Sequence, residues 1–310
     1  MRKSILFLTV SVVVLAMFSF TSCKKKDGVF NPEKKIHKVY HQQFDYYESS
    51  KETKIVEEKR LAEIWRWDKN KLIQIESGYG WTSYFTYDGK QLSKIEIGED
   101  QVINFKYDKA ELKTIDVLDD KGRSTLLITA VERDGERITK YTMEIFSHNN
   151  DPETSSKLLS AQIQPIMQLI FFDPMANFIC ENIAQVKAQK ATTSIILTCE
   201  LLYEGNNVKE QKFSQTVGNT TVSETYVFQY DTKKNPSYNS LHLSGFDGLS
   251  GQSENNIIKY YNKEDHDYVT EFEYEYSGDY PSKRTRKYEI LNMDGKRIRS
   301  LVDFYEYQSK

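Results

Sequence analysis

The chain lacks the excess of basic residues that binding to nucleic acid requires. Its 310 residues contain 42 Lys and Arg against 45 Asp and Glu, a formal net charge of −3 at pH 7. Neutralising many phosphates takes a clear surplus of Lys and Arg, so we expect no nucleic-acid partner. With 28% charged residues the chain is too polar for a polytopic membrane protein, and with 39% hydrophobic residues it is too apolar to remain disordered.

Glycine and proline are also scarce, with 14 and 6 residues, whereas the chain has 21 Tyr and 16 Phe. Aromatic side chains suit the pleated, half-buried surface of a sheet. The composition therefore predicts a mainly β protein, and the length is sufficient to bury a sizeable core.

Signatures of catalysis are missing from the sequence. It contains no GxSxG, HExxH, GxGxxG, Walker loop or CxxC motif, and its five histidines are scattered. Asp265-His266-Asp267 lies between strand-like runs and indicates a polar turn. Glu271, Glu273 and Glu275 alternate with aromatic residues, as on the solvated face of one strand. We predict no catalytic residue, no metal and no cofactor. The alternative is a glycan-directed envelope hydrolase whose carboxylates come together only in the fold.

The N-terminus has the features of a targeting segment. Arg2 and Lys3 precede an apolar run from Ile5 to Phe20, which is slightly short for a membrane span. Phe20-Thr21-Ser22-Cys23 follows and resembles a bacterial lipobox, which implies that residues 1–22 are removed and that Cys23 carries lipid. We expect a membrane anchor at Cys23 and a tether over 23–35. The alternative is a conventional secretory signal with an incidental cysteine.

A repeat of 20 residues dominates the region after the tether. Three kinds of position recur at this interval: Trp67-Asp68, Tyr87-Asp88 and Tyr107-Asp108; Leu72, Leu92 and Leu112; and Ile75, Ile95 and Ile115. Each unit reads as a hairpin with an Asp-containing turn. Strict alternation places one set of side chains on a shared apolar face: Trp65/Trp67, Phe85/Tyr87, Phe105/Tyr107, Ile73/Ile75, Ile95/Ile97 and Ile115/Val117. Residues 64–117 are therefore predicted to form a continuous antiparallel meander.

The repeat units resemble YD (Rhs-type) repeats. The lipobox, the segment from Tyr230 to Pro236 and the segment from Tyr276 to Pro281 are similar to Bacteroidota lipoproteins that carry a domain of unknown function. This resemblance implies a single β-repeat domain over 36–310 and an outer-membrane location. It implies no activity, since the group has no catalytic motif to carry over.

Residues 155–190 interrupt the repeat with apolar residues at helical spacing. Asp173-Pro174 is typical of the start of a second helix, so the segment is predicted to form a two-helix insertion that covers the apolar face of the sheet. The alternative is a helix pair that docks onto a partner or a membrane. Cys180 and Cys199 form either a disulfide or two separate buried thiols.

One loop is a candidate ligand site. Gly78-Tyr79-Gly80-Trp81 links two predicted strands, and Tyr84 follows it. Tyr79, Trp81 and Tyr84 could recognise a sugar or a protein, because rigid aromatic rings bind at a low entropic cost. Alternatively, Trp81 folds back onto the apolar face. The sequence as a whole predicts a lipid-anchored envelope protein that acts as a non-catalytic binding or structural module, with a glycan or a protein as partner.

Overall fold

The described part of the chain consists of strands. The computed structural model describes residues 29–99, 101–146, 194–217, 220–238, 253–265, 269–292 and 295–308. None of these residues lies in a helix. The strands are β1 (Ile36–Tyr47), β2 (Glu52–Asp68), β3 (Lys71–Ser77), β4 (Thr82–Asp88), β5 (Gln91–Ile97), β6 (Gln101–Asp108), β7 (Glu111–Leu118), β8 (Ser124–Asp134), β9 (Arg137–Phe146), β10 (Ser194–Glu204), β11 (Asn207–Val217), β12 (Thr220–Lys234), β13 (Asn255–Asn262), β14 (Val269–Ser277), β15 (Tyr280–Asn292) and β16 (Gly295–Tyr307).

These strands form one closed antiparallel barrel. Each strand pairs with its neighbours in the chain, and β1 pairs with β16, so the first and last strands close the meander. The predicted meander over 64–117 is confirmed as β2 to β7. The sheet is closed into a barrel, where an open sheet was expected. The predicted helix pair at 155–190, the signal peptide and Cys23 lie outside the described residues.

The two faces of the wall differ in polarity as the alternation predicts. On β4, Phe85 is 7% exposed, whereas its neighbour Tyr84 is 50% exposed. The inward residues of β1 to β14 join one hydrophobic cluster, against which Trp67, Tyr87 and Tyr107 also pack. A round barrel of sixteen strands would leave an aqueous lumen. These inward residues are nevertheless buried, so they are not exposed to water in such a lumen.

A β-bulge in each repeat unit accounts for the Leu-x-x-Ile spacing. In the first unit, Trp67 pairs with Leu72 and Arg66 pairs with Gln74, so Ile73 is an extra residue between them. Leu72 and Ile75 consequently both point inward, at 0% and 2% exposure, while Ile73 is 39% exposed. The prediction that Ile73 lies on the apolar face is therefore wrong, because the bulge shifts the alternation by one residue. The same shift follows Leu92 and Leu112.

The repeat carries tyrosine because its hydroxyl donates a hydrogen bond to the carbonyl oxygen beside a bulge. In the second unit, the hydroxyl of Tyr87 donates to the carbonyl oxygen of Leu72, the residue before the bulge of the preceding unit, at 2.9 Å. Equivalent bonds recur around the barrel: Tyr107 to Leu92, Tyr203 to Ile138, Tyr230 to Val208, Tyr274 to Ile257 and Tyr307 to Pro281. Trp67 and Arg133 donate in the same way to Ile36 and Leu112. The residue at this repeated position, which is aromatic in all of these cases except Arg133, thus donates to the carbonyl beside each of these bulges.

Cys199 is a buried, free thiol on β10. The side-chain amide of Gln211 donates to its Sγ at 3.1 Å. Burial raises the pKa of the Cys199 thiol to about 12, so it remains protonated and unreactive at neutral pH. The sequence left open a disulfide or separate buried thiols, and Cys199 is a separate buried thiol. Cys180 lies outside the described residues.

Candidate functional site

Buried charges lie on the inward face of one quarter of the barrel, formed by β15, β16, β1 and β2. Asp303 on β16 lies at its centre and is 6% exposed. Its Oδ1 is 2.9 Å from Nδ1 of His41 on β1, and its Oδ2 accepts hydrogen bonds from Nε and a terminal nitrogen of Arg284 on β15, at 3.0 and 2.6 Å. This group, called here the Asp303 network, links three neighbouring strands.

The environment of Asp303 favours its charged form. Burial by itself would raise the pKa of this carboxyl, but the charge of Arg284 and the hydrogen bond with His41 outweigh burial and hold the pKa at about 2. The groups bonded to Asp303 therefore offset the cost of burying its negative charge.

A second ion pair lies further along the same strands. Asp45 on β1 is 1% exposed and accepts hydrogen bonds from Arg299 on β16 at 2.8 and 3.0 Å, while Arg297 is 3.1 Å away. The hydrogen bond from Arg299 lowers the pKa of Asp45. The seam between β1 and β16 is therefore joined by charged groups at two levels.

Glu63 on β2 has the opposite electrostatic character. Burial raises its pKa, although Trp65 donates a hydrogen bond from Nε1 to its Oε2 at 2.7 Å. Glu63 and Asp303 are thus two buried carboxyls whose pKa values are displaced in opposite directions. Such pairs occur in the active sites of hydrolases.

A cavity of about 70 Å³ adjoins both carboxyls. Phe272, Tyr274 and Asn235 also line it. Because a water molecule requires roughly 10–15 Å³ of such space, the cavity has room for a few waters. It is too small for a sugar ring, and the carboxyls of Asp303 and Glu63 beside it already accept hydrogen bonds from Arg284 and Trp65.

The aromatic residues that the sequence singled out lie next to the charged quarter, in the loop between β3 and β4 and on β4 itself. Tyr79 is 52% exposed and stacks on the guanidinium of Arg60, whose central carbon is 4.1 Å from the ring centroid. Tyr84 points outward from β4 opposite Gln74, and Trp81 is half-buried before β4. The role of these three residues in binding a ligand stays a prediction.

The loop that carries Tyr79 approaches the neighbouring strand closely. A Cβ atom on Gly78 would lie 2.2 Å from the carbonyl oxygen of Leu61, so this position requires glycine. The amide of Gly78 donates to the carbonyl oxygen of Ala62 at 2.7 Å. Gly78 thus fixes the loop against β2.

The sequence analysis missed the charged quarter of the barrel. A signal for it exists in β16, where Leu301, Asp303, Tyr305 and Tyr307 occupy alternate positions and so must share a face. An acidic residue within such an inward row indicates a buried, paired charge. Its partners could not be identified, because His41 is remote in the sequence and becomes adjacent only when the barrel closes.

Among the described residues, no group of three or more His, Cys, Asp and Glu side chains is arranged to hold a metal ion. The same residues include no helix that is long and apolar enough to cross a membrane.

No protein-family model and no curated protein matches the chain. Among solved structures, the chain is similar to a protein described as porin-like from Bacteroides uniformis. The two share 9% sequence identity with a TM-score of 0.36, and the match covers 88% of this chain and 98% of the other. A likeness of this size supports no inference about function.

Proposed function

We propose that the chain is a lipid-anchored protein of the bacterial envelope whose closed barrel serves as a non-catalytic binding or structural module. The lipobox ending at Cys23 supports the anchor, and the tether over 23–35 leads directly into β1.

The outward face of the described strands carries charged side chains, which favours a barrel that lies beside the membrane over one whose wall contacts lipid. It carries ion pairs such as Arg66 with Glu76 at 2.6 Å and Lys94 with Glu96 at 2.9 Å. A wall that contacts lipid carries a continuous apolar band on its outer face. The exposed charges favour a barrel in water that is held to the membrane by its lipid.

The observation that best supports a non-catalytic role is that both buried carboxyls beside the cavity are already bound by neighbouring side chains. Asp303 is bound by His41 and Arg284, and Glu63 is bound by Trp65. A general acid or nucleophile must reach a substrate atom, and the cavity of about 70 Å³ beside these carboxyls admits no glycan. The hydrolase alternative therefore gains no support from the pair.

Metabolic labelling with an alkyne analogue of palmitate tests the anchor. We expect label on the wild-type chain and on Ser22→Ala, which keeps a small residue before the cysteine, and none on Cys23→Ala. Mass spectrometry should show a mature chain that begins at a lipidated Cys23. An unlabelled wild-type chain would overturn the anchor.

An activity assay tests the non-catalytic role. The purified wild-type protein should not hydrolyse envelope glycans, and Glu63→Gln should give the same result. Hydrolysis that disappears in Glu63→Gln would contradict the proposal.

A further inference from the structure

The two ends of the barrel carry different turns. Because the strands follow one another around an antiparallel barrel, successive turns lie at alternate ends. The turns of the three repeat units, at 68–71, 88–91 and 108–111, share one end with the start of β1 and the end of β16. We call this the repeat-turn end. The turns after β1, β3 and β5 lie at the opposite end, called here the far end.

Residues 29–35, the last part of the predicted tether, lie against the repeat-turn end. Phe30 is 6% exposed and belongs to the hydrophobic cluster of the barrel, and its ring centroid is 5.7 Å from that of Trp67 near the end of β2. The carbonyl oxygen of Lys35 accepts a hydrogen bond from the amide of Gln308, just after β16, at 2.9 Å. This segment is therefore part of the folded barrel.

Polar side chains of the same segment bind it to other strands. Glu33 accepts hydrogen bonds from Nζ of Lys234 on β12 at 2.5 Å and from the hydroxyl of Tyr280 on β15 at 3.1 Å. Nζ of Lys35 donates to Oδ1 of Asn70, in the turn between β2 and β3, at 3.0 Å. The segment thus crosses the repeat-turn end from β12 and β15 to the turn after β2.

The docked segment leaves only a short connection to the proposed lipid. Six residues, 23–28, precede Val29 when the chain is counted from Cys23. A chain spans at most about 3.3–3.6 Å per residue, so these six residues reach about 20 Å when fully extended. The twelve residues of β1 run in the other direction. At about 3.3 Å per residue, β1 places the far end about 40 Å along the strand from the docked segment.

The repeat turns carry balanced charge. Over 68–71, 88–91 and 108–111 the chain has four Lys and four acidic residues: Lys69, Lys71, Lys90 and Lys109 against Asp68, Asp88, Asp108 and Glu111. Anionic lipid headgroups give a membrane a negative surface potential, which would repel an end with an excess of carboxylates. The three turns have no such excess, so their charge does not oppose a close approach to lipid.

We propose that the repeat-turn end faces the membrane, and that the short spacer 23–28 and the docked segment 29–35 hold it against the lipid surface. The inference rests on the proposed lipid anchor at Cys23 and adds the face by which the barrel meets the membrane. The loop of Tyr79 and Trp81 follows β3 and so lies at the far end. In this orientation the loop is on the side away from the membrane, where a soluble partner has access to it.

Fluorescent labels at the two ends of one strand test this orientation. The full-length lipoprotein is reconstituted into vesicles of phosphatidylethanolamine and phosphatidylglycerol that contain a lipid with a nitroxide on its headgroup. The label is attached to Lys90→Cys, before β5, or to Glu99→Cys, after it. Both variants carry Cys180→Ser, and Cys199 is buried. The seven residues of β5 separate the two sites by about 23 Å. We expect several-fold stronger quenching at Lys90→Cys than at Glu99→Cys.

Two further variants extend the test. Ser50→Cys, in the turn after β1, carries a second far-end label and should be quenched least of the three. An insertion of about twelve Gly and Ser residues after Gly28 lengthens the spacer and changes no described contact. Since the mean reach of a flexible chain grows from about 13 Å for six residues to about 24 Å for eighteen, the insertion should lower the quenching at Lys90→Cys. Unlipidated Cys23→Ala should not be quenched at any site.

The outcomes separate the orientation from the anchor. With palmitate label intact on Cys23, quenching at Glu99→Cys or Ser50→Cys that equals or exceeds quenching at Lys90→Cys would overturn the orientation and leave the anchor in place. Unchanged quenching at Lys90→Cys after the insertion would also overturn the proposal, because the spacer would then not hold this end against lipid. A wild-type chain without palmitate label would overturn the anchor and this inference with it.

Discussion

At the residue scale, the tyrosine that precedes each turn has a specific structural task. The bulge interrupts the hydrogen-bond ladder, and the next unit supplies a hydroxyl to the carbonyl that precedes the bulge. Burial around Tyr87 raises the pKa of its hydroxyl to about 12, so the donor proton is retained at neutral pH. A phenylalanine could fill the same space but would leave the carbonyl of Leu72 without this donor.

Tyr87→Phe is expected to lower the free energy of unfolding by about 1–2 kcal/mol, because a partly buried carbonyl loses its hydrogen bond. Tyr84→Phe is the matched control on the same strand, since Tyr84 is 50% exposed. The control should change stability by less than about 0.5 kcal/mol. Urea unfolding measures both values. Equal effects of the two substitutions would show that the bond to Leu72 contributes nothing.

Glu63→Gln is expected to make stability less dependent on pH. The pKa of Glu63 is raised above 4.5 in the folded state, so its contribution to stability is fully present below pH 4.5 and is lost as pH rises through the raised pKa. Glutamine does not ionise, so the variant does not lose stability in this way as pH rises. Its amide oxygen can still accept the hydrogen bond from Trp65. Asp303 acts in the opposite direction, since its pKa of about 2 means that its contribution is lost as pH falls from about 3.8 towards 2.

Denaturant unfolding between pH 4 and pH 8 checks the expectation for Glu63. The variant should exceed the wild type in stability at the upper end of this range and approach it at the lower end. A variant that is less stable than the wild type at pH 8 would mean that the Glu63 carboxylate is stabilised in the folded state.

At the element scale, the hairpin is the unit that the sequence describes well. The repeated aromatic-Asp pair, the turn residues and the alternation of Phe85 with Tyr84 were sufficient to predict strands, turns and faces. The bulge at Ile73 was not predicted, because strict alternation placed Ile73 and Ile75 together and ignored the Leu72 position. The spacing from Leu72 to Ile75 is three residues, which in a strand requires one extra residue if both are to point inward.

The turns offer a test of the repeat at this scale. Lys69, Gly89 and Lys109 occupy equivalent turn positions and have φ values of 52°, 57° and 59°, in the left-handed region. Glycine adopts this region freely, while other residues incur a penalty. Lys109→Gly should therefore stabilise the protein by about 0.5–1 kcal/mol, and Gly89→Ala should destabilise it by about 1 kcal/mol. Thermal and urea unfolding of the two variants measure these changes, and opposite signs would show that the turn geometry is wrong.

At the scale of the whole molecule, closure of the barrel brings the first and last strands together and so creates the charged quarter. The sequence predicted a sheet with one apolar face and two helices to cover it, because nothing local marks β1 as a partner of β16. Both strands read as ordinary alternating segments, and the pairs His41 with Asp303 and Asp45 with Arg299 join residues from opposite ends of the domain. The charged quarter could not be predicted without the closure that creates it.

The seam between β1 and β16 is the central claim of the account, and an engineered disulfide tests it most directly. Tyr46 on β1 pairs with Ile298 on β16, so Tyr46→Cys combined with Ile298→Cys places two thiols at the separation of directly opposed strand residues, which a disulfide can span. Tyr46→Cys combined with Tyr84→Cys serves as the control, because β1 and β4 are not neighbours in the barrel. Both double variants keep the native cysteines. Under mild oxidation, a closed barrel predicts an intramolecular crosslink in the first variant and none in the control, seen as a shift in non-reducing electrophoresis and confirmed by peptide mass. Absence of that crosslink in a folded protein, or equal crosslinking in the control, would contradict closure and with it the Asp303 network.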